Sequence, residues 1–435
     1  MIPSIERYFR FKELGTDLRT ELLAGVTTFL TMAYIVFVNP SILQDAGVPA
    51  AGAMAATCIS AALGSLMMGL FAKYPIALAP GMGLNAYFTY TVVQGMGVPW
   101  QVALGAVFLS GVAFVALTAF GIRQLILSAL PQELYASIAA GIGLFIAFVG
   151  LRNAGIIVTN PSTSVALGDL TRPSTLLALF GLLLIGVLMA RRVRAAMLIG
   201  ILATAVVGAA VGLVRWQPQP FSWTAATSAA LQLDIRGALE IGLIEIVFVF
   251  LFVDLFDNIG TLIGVAKKAR LIDDSGEIPR VGRIMLTDAT ATITGSLTGT
   301  STVVSYIESA AGVVAGGRSG LTAVVVGVLF VFALFLAPVV GFIPSAATAP
   351  ALIIVGSLMA TTIAEVRWDD YTVALPAFLT MVTIPLSFSI ANGIAFGFIA
   401  YTALKVFAGE YRRVSWLVYV LTALFVLRFA YLGAG

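Results

Sequence analysis

The chain has 435 residues, of which 60% are hydrophobic and 10% charged, with a mean hydropathy of +1.04 and a net charge of +3. This composition excludes a soluble globular protein and implies many membrane-spanning helices. One cysteine, Cys58, and the absence of histidine exclude a disulfide framework, a cysteine-rich metal site and an imidazole proton carrier, so we expect no metal and no cofactor.

Apolar runs of membrane-spanning length recur along the chain in two sets of seven. The first set lies at roughly 22–43, 51–71, 75–95, 98–120, 131–150, 173–190 and 196–214, and the second at 240–266, 283–298, 299–317, 319–341, 344–363, 371–389 and 391–408. A further run, 414–432, is left over. We predict an N-terminus (1–21), a first seven-span repeat (22–215), an extracytoplasmic loop (216–239), a second repeat (240–408) and a C-terminal helix (409–435).

Lysine and arginine residues are distributed unevenly between the two sides of these spans. If odd-numbered spans run outward, 19 of the 24 fall on the cytoplasmic side and Arg428 falls in the final run; the four outside are Arg152, Arg172, Arg215 and Arg236. The positive-inside rule favours this orientation. We therefore expect an inner (plasma) membrane protein with both termini in the cytoplasm. Whether the run 414–432 spans the membrane or lies at its cytoplasmic interface stays open. No aromatic-interleaved basic patch suggests a nucleic-acid partner.

Seven spans per half make the second half enter the membrane from the opposite side. Short matches in the same order support an inverted repeat: Leu130-Pro131 with Ile343-Pro344, Ile142-Gly143 with Val355-Gly356, Ile199-Gly200-Ile201 with Phe396-Gly397-Phe398, and Gly64-Ser65-Leu66 with Gly295-Ser296-Leu297. We predict an all-α polytopic membrane protein of 14 transmembrane segments. In such repeats the binding site lies near the midplane, at discontinuous helices.

The third span is predicted to be broken in its middle. Pro75 and Pro80, followed by Gly81 and Gly83, interrupt the helix, and Asn85 stands where a helix can restart. The free N–H groups of a restarted helix suit a ligand that carries acceptors. The alternative is that Asn85 only caps the half-helix.

The tenth span, 299–317, is predicted to be broken as well. Residues 301–306 are β-branched and hydroxyl-rich, which favours an extended strand, and Glu308 follows, before small residues that can resume a closely packed helix. Extended backbone at bilayer depth is tolerated only inside protein or beside a wet cavity, and a carboxylate there indicates a functional site. The alternative is a glycine-rich packing seam with a buried, satisfied glutamate.

Acidic residues cluster in the second repeat. Glu240 and Glu245 lie near the outer end of the eighth span, whereas Asp254 and Asp257 lie deep on one helical face, and Thr261 is one turn beyond Asp257. Asp288 in the ninth span and Glu308 in the tenth complete the set. An unpaired carboxylate in hydrocarbon normally takes up a proton.

These deep acids lie in spans whose deep parts contain no lysine or arginine. Such an arrangement suits a carrier coupled to protons, or one that coordinates a cation. Alternatively, at least one acid is held by donors at the helix breaks, with Asp254 and Asp288 the candidates. A ligand that meets carboxylates and an amide in a dry pocket should be neutral and rich in donors and acceptors. Nucleobases fit this description, and an inorganic anion does not.

Four long segments carry a family likeness: ERYFxF…ELLAGVTTFLTMAYIVFVNPSIL, APGMGLNAYF, FVFLFVDLFDNIGTLIGVA and GTSTVVSYIESAAGVVAGGRSGLTA. Through them essentially the whole chain resembles the adenine/guanine/hypoxanthine permeases, the AzgA-like branch of the nucleobase permease family. The resemblance implies a core domain of spans 1–4 and 8–11 and a gate domain of spans 5–7 and 12–14. It also implies proton symport of a purine nucleobase and a homodimer formed through the gate domain.

The resemblance also implies substrate-binding residues. The acid of the eighth span falls on Asp257 in DNIGTL, by comparison with the Glu-x-x-Gly-His-Leu pattern of uracil permeases; Thr261 replaces the histidine, so a histidine role does not transfer. The acid of the tenth span falls on Glu308 in YIES. The amide of the third span falls on Asn85, with Gly83 beside it.

Protonation of one acid would couple the proton gradient to uptake, and the candidates are Asp254, Asp257, Glu308 and Asp288. Sodium coupling stays open. An anion transporter or exchanger of the same fold is the main alternative, but it should carry a cation or neutral residues at Asp257 and Glu308. A channel is disfavoured by the paired broken helices, and an intramembrane enzyme by the lack of histidine and of a metal-ligand cluster.

Overall fold

The computed structural model describes residues 2–120, 131–213, 222–240, 244–269, 271, 278–336 and 342–431. Within these ranges, seven helices are long and apolar enough to cross a membrane, and four shorter apolar helices accompany them. The predicted all-α polytopic fold, with broken third and tenth spans, is confirmed. The domain boundaries within it stay predictions.

The first repeat follows two short N-terminal helices, Ile2–Tyr8 and Phe11–Leu14. Its spans are Leu18–Met32 continued by Ile35–Asp45 (span 1), Ala50–Met67 with a π-helical turn Met68–Ala72 (span 2), β1 Leu78–Pro80 with Met82–Ala86 and the π-helix Tyr87–Gly95 (span 3), Trp100–Ala119 (span 4), Gln132–Asn153 (span 5), Pro173–Ala190 (span 6) and Ala196–Ala210 (span 7). A hairpin of β2, Ile157–Asn160, and β3, Ser164–Leu167, joins spans 5 and 6 and was not predicted.

The second repeat follows two short helices, Trp223–Ala226 and Ile235–Ala238. Its spans are Ile244–Ala269 (span 8), Val281–Thr298 (span 9), β4 Val303–Ser305 with Ser309–Val314 (span 10), Gly320–Ala333 with Leu334–Leu336 (span 11), Ser345–Ala360 with Thr361–Glu365 (span 12), Tyr371–Ser387 (span 13) and Ile390–Phe407 (span 14). The turn Tyr411–Arg413 and the C-terminal helix Trp416–Tyr431 follow.

Residues matched between the repeats occupy equivalent places. A Cβ on Gly143 in span 5 would lie 2.7 Å from the carbonyl oxygen of Gly356 in span 12, and a Cβ on Gly356 would overlap the carbonyl of Gly143. In the same way, Gly64 in span 2 lies against β1, and Gly295 in span 9 lies against β4. A residue that meets its own counterpart, together with a second matched pair that makes equivalent contacts, is the mark of two-fold related halves. The weak sequence matches therefore reflected the inverted repeat.

The C-terminal helix packs antiparallel to span 14. The hydroxyls of Thr402 and Thr422 lie 2.7 Å apart, and the rings of Phe398 and Phe425 lie 5.8 Å apart. Near the helix end, an Arg428 guanidinium nitrogen donates to the Asn392 side-chain oxygen over 2.8 Å, close to the start of span 14. Of the two positions left open for this helix, these contacts select the crossing, because it returns along span 14 to that span's opposite end.

The two described ends of the chain consequently lie at opposite ends of the bundle. The Tyr8 hydroxyl donates to the Leu70 carbonyl at the end of span 2, and the neighbouring Tyr74 hydroxyl donates to Pro279, between spans 8 and 9. Arg428, in contrast, pairs with Glu245 at the start of span 8, with 2.6 Å between nitrogen and oxygen. The expectation of two termini on one side is therefore wrong, since 14 spans would return the chain to its starting side and one more helix takes it across again.

Candidate functional site

Two short strands cross where spans 3 and 10 are broken. β1 pairs antiparallel with β4, in the register Leu78 with Ser305, Ala79 with Val304 and Pro80 with Val303. The pairing continues beyond the strands, because Gly81 donates to Thr302 and Tyr306 donates to Ala77, both over 2.9 Å. The predicted extended segment is thus confirmed, with the strand itself at Val303–Ser305 and its pairing reaching Thr302 and Tyr306. The sheet satisfies backbone groups that the bilayer could not.

One hydroxyl from the second helix of each repeat completes the outer edge of each strand. The Ser65 hydroxyl accepts from Leu78 N–H over 2.9 Å and donates to its carbonyl over 3.1 Å. In the second repeat, the Thr292 hydroxyl accepts from Val303 N–H over 3.3 Å, and its single proton is shared between the Val303 carbonyl and Asp254, each 3.1 Å away. These two side chains are buried and hold the strands in place. The sequence reading missed both, since isolated hydroxyls in apolar helices carry no pattern.

A buried acidic network lies against β4. Asp254 accepts from the Asn258 side-chain amide over 2.9 Å and from the Thr292 hydroxyl over 3.1 Å. The Asn258 side-chain oxygen accepts from Ser305 N–H over 2.8 Å, and the Ser305 hydroxyl donates to Asp288 over 2.8 Å. Asp254 and Asp288, the two acids considered as braces at the break, therefore hold the strand through neighbouring side chains. All five residues are buried.

Asn85 lies in a second buried network. Its amide nitrogen donates to the Asn39 side-chain oxygen, and its own oxygen accepts from the Ser301 hydroxyl. Asn39 in turn donates to Thr57 over 2.7 Å and to Thr300 over 3.0 Å. The helix after the break begins at Met82, three residues earlier than predicted, and the side chain of Asn85 does not cap it. In this conformation Asn85 ties span 3 to spans 1 and 10.

Glu308 differs from the other described acids of the break because it is partly exposed. It lies between exposed Ile307, with 52% of its surface accessible, and fully buried Ser309. One carboxylate oxygen accepts from the Tyr34 hydroxyl over 2.7 Å. Tyr34 stands at the interruption of span 1, which the sequence reading missed because no proline or glycine marks it. A carboxylate that remains accessible beside a broken helix can accept N–H groups from a ligand.

The remaining predicted contacts are placed as follows. Asp257 lies on span 8, but its side chain is outside the described residues. Thr261, one turn further, is buried. A Cβ on Gly83 would lie 2.6 Å from Ile142, so Gly83 lets span 3 approach span 5 of the gate closely.

Aromatic residues near the breaks pack against other parts of the protein. The rings of Phe29 and Phe330 lie 5.2 Å apart edge to face, as do those of Tyr87 and Phe250. The Tyr306 hydroxyl donates to the Pro80 carbonyl over 2.6 Å. These rings are therefore held by packing contacts within the protein.

Polar contacts join the core and gate spans at the end of the bundle where span 1 finishes. The Tyr90 hydroxyl donates to Asp45 over 2.7 Å and accepts from the Asn153 amide over 3.1 Å. The neighbouring Thr91 hydroxyl donates to the Phe388 carbonyl over 2.6 Å. These contacts connect spans 1 and 3 with spans 5 and 13, and we call the five residues the outer latch.

Comparison with known proteins decides the family. The profile of the Permease family matches residues 19–405. The chain belongs to the Permease family. It is 54% identical over 430 residues to a permease of Methanocaldococcus jannaschii, covering 99% of each chain. It is 46% identical to the adenine permease AdeP of Escherichia coli, covering 99% of this chain and 97% of AdeP, and 44% identical to the guanine/hypoxanthine permease PbuG of Bacillus subtilis, covering 98% and 100%.

Solved structures support the fold of this permease. The transmembrane domain of the cyanobacterial bicarbonate transporter BicA matches with a TM-score of 0.66 at 15% identity, covering 87% of this chain and 97% of that domain. The murine anion transporter Slc26a9 in its inward-facing state matches with a TM-score of 0.64 at 12% identity, covering 91% and 69%. At such identities the likeness concerns the fold alone. The permease is an integral, multi-pass membrane protein.

Proposed function

We propose that this permease imports purine nucleobases, adenine or guanine and hypoxanthine, by proton symport with alternating access. The observation that carries the proposal is the nearly full-length identity of 43–46% to adenine permeases and to guanine/hypoxanthine permeases. The partly exposed Glu308 beside the strand crossing supports it, because neutral bases carry N–H donors that a carboxylate accepts.

In this proposal Glu308 and Asp257 accept N–H groups of the base, and Thr261 lies one turn from Asp257. Asn85 would reach the base only by exchanging its bonds to Asn39 and Ser301, so we assign it mainly to the binding framework. Gly83 acts through the close approach of span 3 to span 5. A base that lacks a matching donor would leave a buried polar group of the site without a hydrogen bond. The site would therefore bind such a base more weakly than its proper substrate.

The proton is assigned to one of four acids: Asp254, Asp257, Asp288 and Glu308. Asp254 and Asp288 accept bonds from neutral side chains in the buried network, so their protonation would loosen β4. Protonation of Glu308 would remove an acceptor from the accessible surface. Coupling to sodium is the alternative, since the same carboxylates can coordinate a cation.

We further infer an inner-membrane protein whose N-terminus is cytoplasmic, supported by the charge bias in its loops. The outer latch then faces the outside, and the described end of the C-terminal helix does as well. Pairing of two copies through the gate domain is part of the proposal. It draws support from exposed apolar side chains on span 13, including Leu375, Phe378 and Leu386.

Uptake of radiolabelled adenine, guanine and hypoxanthine into cells that lack purine uptake tests the proposal. We expect accumulation of at least one base and its collapse by a protonophore. Accumulation that follows an imposed sodium gradient instead would support sodium coupling. Transport of bicarbonate or sulfate without transport of any base would support the alternative of an anion transporter. The two fold neighbours described above are transporters of bicarbonate and of anions.

The substitution Glu308→Gln tests the proposed contact. It preserves the side-chain volume but turns one acceptor into a donor, which would face an N–H of the base. Loss of such a charged hydrogen bond typically costs about 2–3 kcal/mol, so we expect a Kd about 30- to 150-fold higher. The matched control is Glu240→Gln, because Glu240 is exposed before span 8. Unchanged dissociation constants for all three bases in monodisperse Glu308→Gln protein would refute the contact.

A further inference from the structure

Span 1 contains an interruption with a buried tyrosine at its centre. The first helix ends at Met32 and the second begins at Ile35, and between them Val36 N–H bonds to the Ala33 carbonyl over 3.2 Å, one residue closer than in an α-helix. Tyr34 is 1% exposed. Its ring is therefore fixed by packing, and its hydroxyl has a defined position.

That hydroxyl points at the carboxylate of Glu308. The bond of 2.7 Å joins residues 274 positions apart and connects span 1 to the broken span 10. Among the described residues, Tyr34 is the side chain that donates to this carboxylate. A glutamate has several rotatable bonds, and a partly exposed one is ordered only where a neighbour holds it. Tyr34 orders the Glu308 carboxylate, because its own buried ring is fixed by packing.

We propose that Tyr34 is a positioning residue for substrate binding, whose hydroxyl holds one oxygen of Glu308 and so presents the other to an N–H of the purine base. The inference rests on the proposed role of Glu308. Preorganising one long side chain is worth about a 2- to 12-fold change in affinity. Tyr34 itself does not touch the base; it acts through Glu308.

The substitution Tyr34→Phe removes only the hydroxyl and keeps the buried ring. We expect the Kd of labelled adenine, guanine or hypoxanthine to rise about 2- to 12-fold, with the thermal unfolding temperature nearly unchanged. The matched control is Tyr74→Phe, which deletes the hydroxyl of an equally buried tyrosine that donates to the Pro279 carbonyl, between spans 8 and 9. The control should keep the wild-type Kd. If detergent-purified Tyr34→Phe is not monodisperse, the same bases are titrated into membrane vesicles that contain it.

A double-substitution cycle separates positioning from a merely structural role. In the Glu308→Gln background the Tyr34 hydroxyl would hold the amide oxygen, and the amide N–H₂ would then face the N–H of the base. Adding Tyr34→Phe frees that amide to rotate, so we expect no further loss of affinity and a partial recovery. An equal loss in both backgrounds would show that Tyr34 acts independently of Glu308 and would overturn the inference.

The outcomes distinguish the inference from the proposed function. If Glu308→Gln weakens binding while Tyr34→Phe leaves the Kd unchanged, the inference fails and the proposed contact stands. If Glu308→Gln leaves the Kd unchanged, the proposed contact fails and the inference fails with it. A rise in Kd for Tyr34→Phe alone, absent from the Glu308→Gln background, supports both.

Discussion

Glu21 offers the sharpest test of how the core of this permease is held together. It is fully buried at the start of span 1, and its carboxylate accepts five hydrogen bonds. One oxygen receives the N–H groups of Arg318 and Ser319, over 2.8 and 3.0 Å, and the Thr16 hydroxyl over 2.9 Å. The other receives the N–H and the hydroxyl of Thr322, over 3.3 and 2.6 Å. A side chain of span 1 thereby caps the N-terminus of span 11.

The substitution Glu21→Gln keeps the side-chain volume but leaves at least one buried backbone N–H without a hydrogen-bond acceptor. The least costly orientation turns the new amide group toward Thr322, whose hydroxyl can accept although its N–H cannot. A stranded buried N–H costs about 1–3 kcal/mol, and the bonds to the other oxygen lose about 1 kcal/mol each when they become neutral. Relief of the buried charge returns part of this loss. We expect a net destabilisation of about 2–4 kcal/mol.

Reversible unfolding of the detergent-purified protein measures this change. The matched control is Glu13→Gln, because Glu13 is exposed and, within the described part of the chain, its ion-pair partner is the exposed Arg10. Its substitution should change stability by less than about 0.5 kcal/mol. Glu21→Gln protein as stable as the wild type would show that water or other donors and acceptors satisfy this cap, and would refute the reasoning.

Three further predictions follow from the gate and the C-terminal segment. Tyr90→Phe removes the bond from Asn153 that joins the gate to the core, together with the bond to Asp45 within the core. We expect the proposed equilibrium to shift about fivefold toward the outward-open state, measured as faster labelling of a cysteine introduced beside the outer latch, and unchanged labelling would contradict this. In a cysteine-free background, an impermeant thiol reagent outside intact cells should label Tyr431→Cys and spare Arg413→Cys. The same result at both positions, labelled or spared, would exclude the crossing C-terminal helix, and the reverse pattern would overturn the inferred orientation. Hydrogen bonding by Lys405 holds the pKa of Glu410 below its usual value. The wild type should therefore be more stable than Glu410→Gln above about pH 5, and this difference should decline as the pH falls through the lowered pKa. Thermal unfolding at several pH values measures the difference, and a difference that grows on acidification would refute the assignment.

Sequence by itself determined the features that depend on local chemistry. Proline and glycine near Pro80 cannot continue a helix, and β-branched, hydroxyl-rich residues before Tyr306 favour extended backbone, so both breaks could be predicted. Apolar runs of bilayer length specify spans because the membrane requires about 20 such residues. Glycines such as Gly143 and Gly356 were recognisable as repeat partners, since close approach of two helices excludes a side chain there.

Only the tertiary structure decided which polar side chains meet. The bond from Tyr34 to Glu308 joins residues 274 positions apart, and Glu21 caps a helix about 300 residues away, so no local spacing announces either. The same holds for the C-terminal helix, whose apolar composition suits both a crossing and an interfacial position. Its contacts with span 14 and the pairing of Arg428 with Glu245 select the crossing. A buried polar group takes whichever partner the fold brings near, and chain distance does not limit that choice.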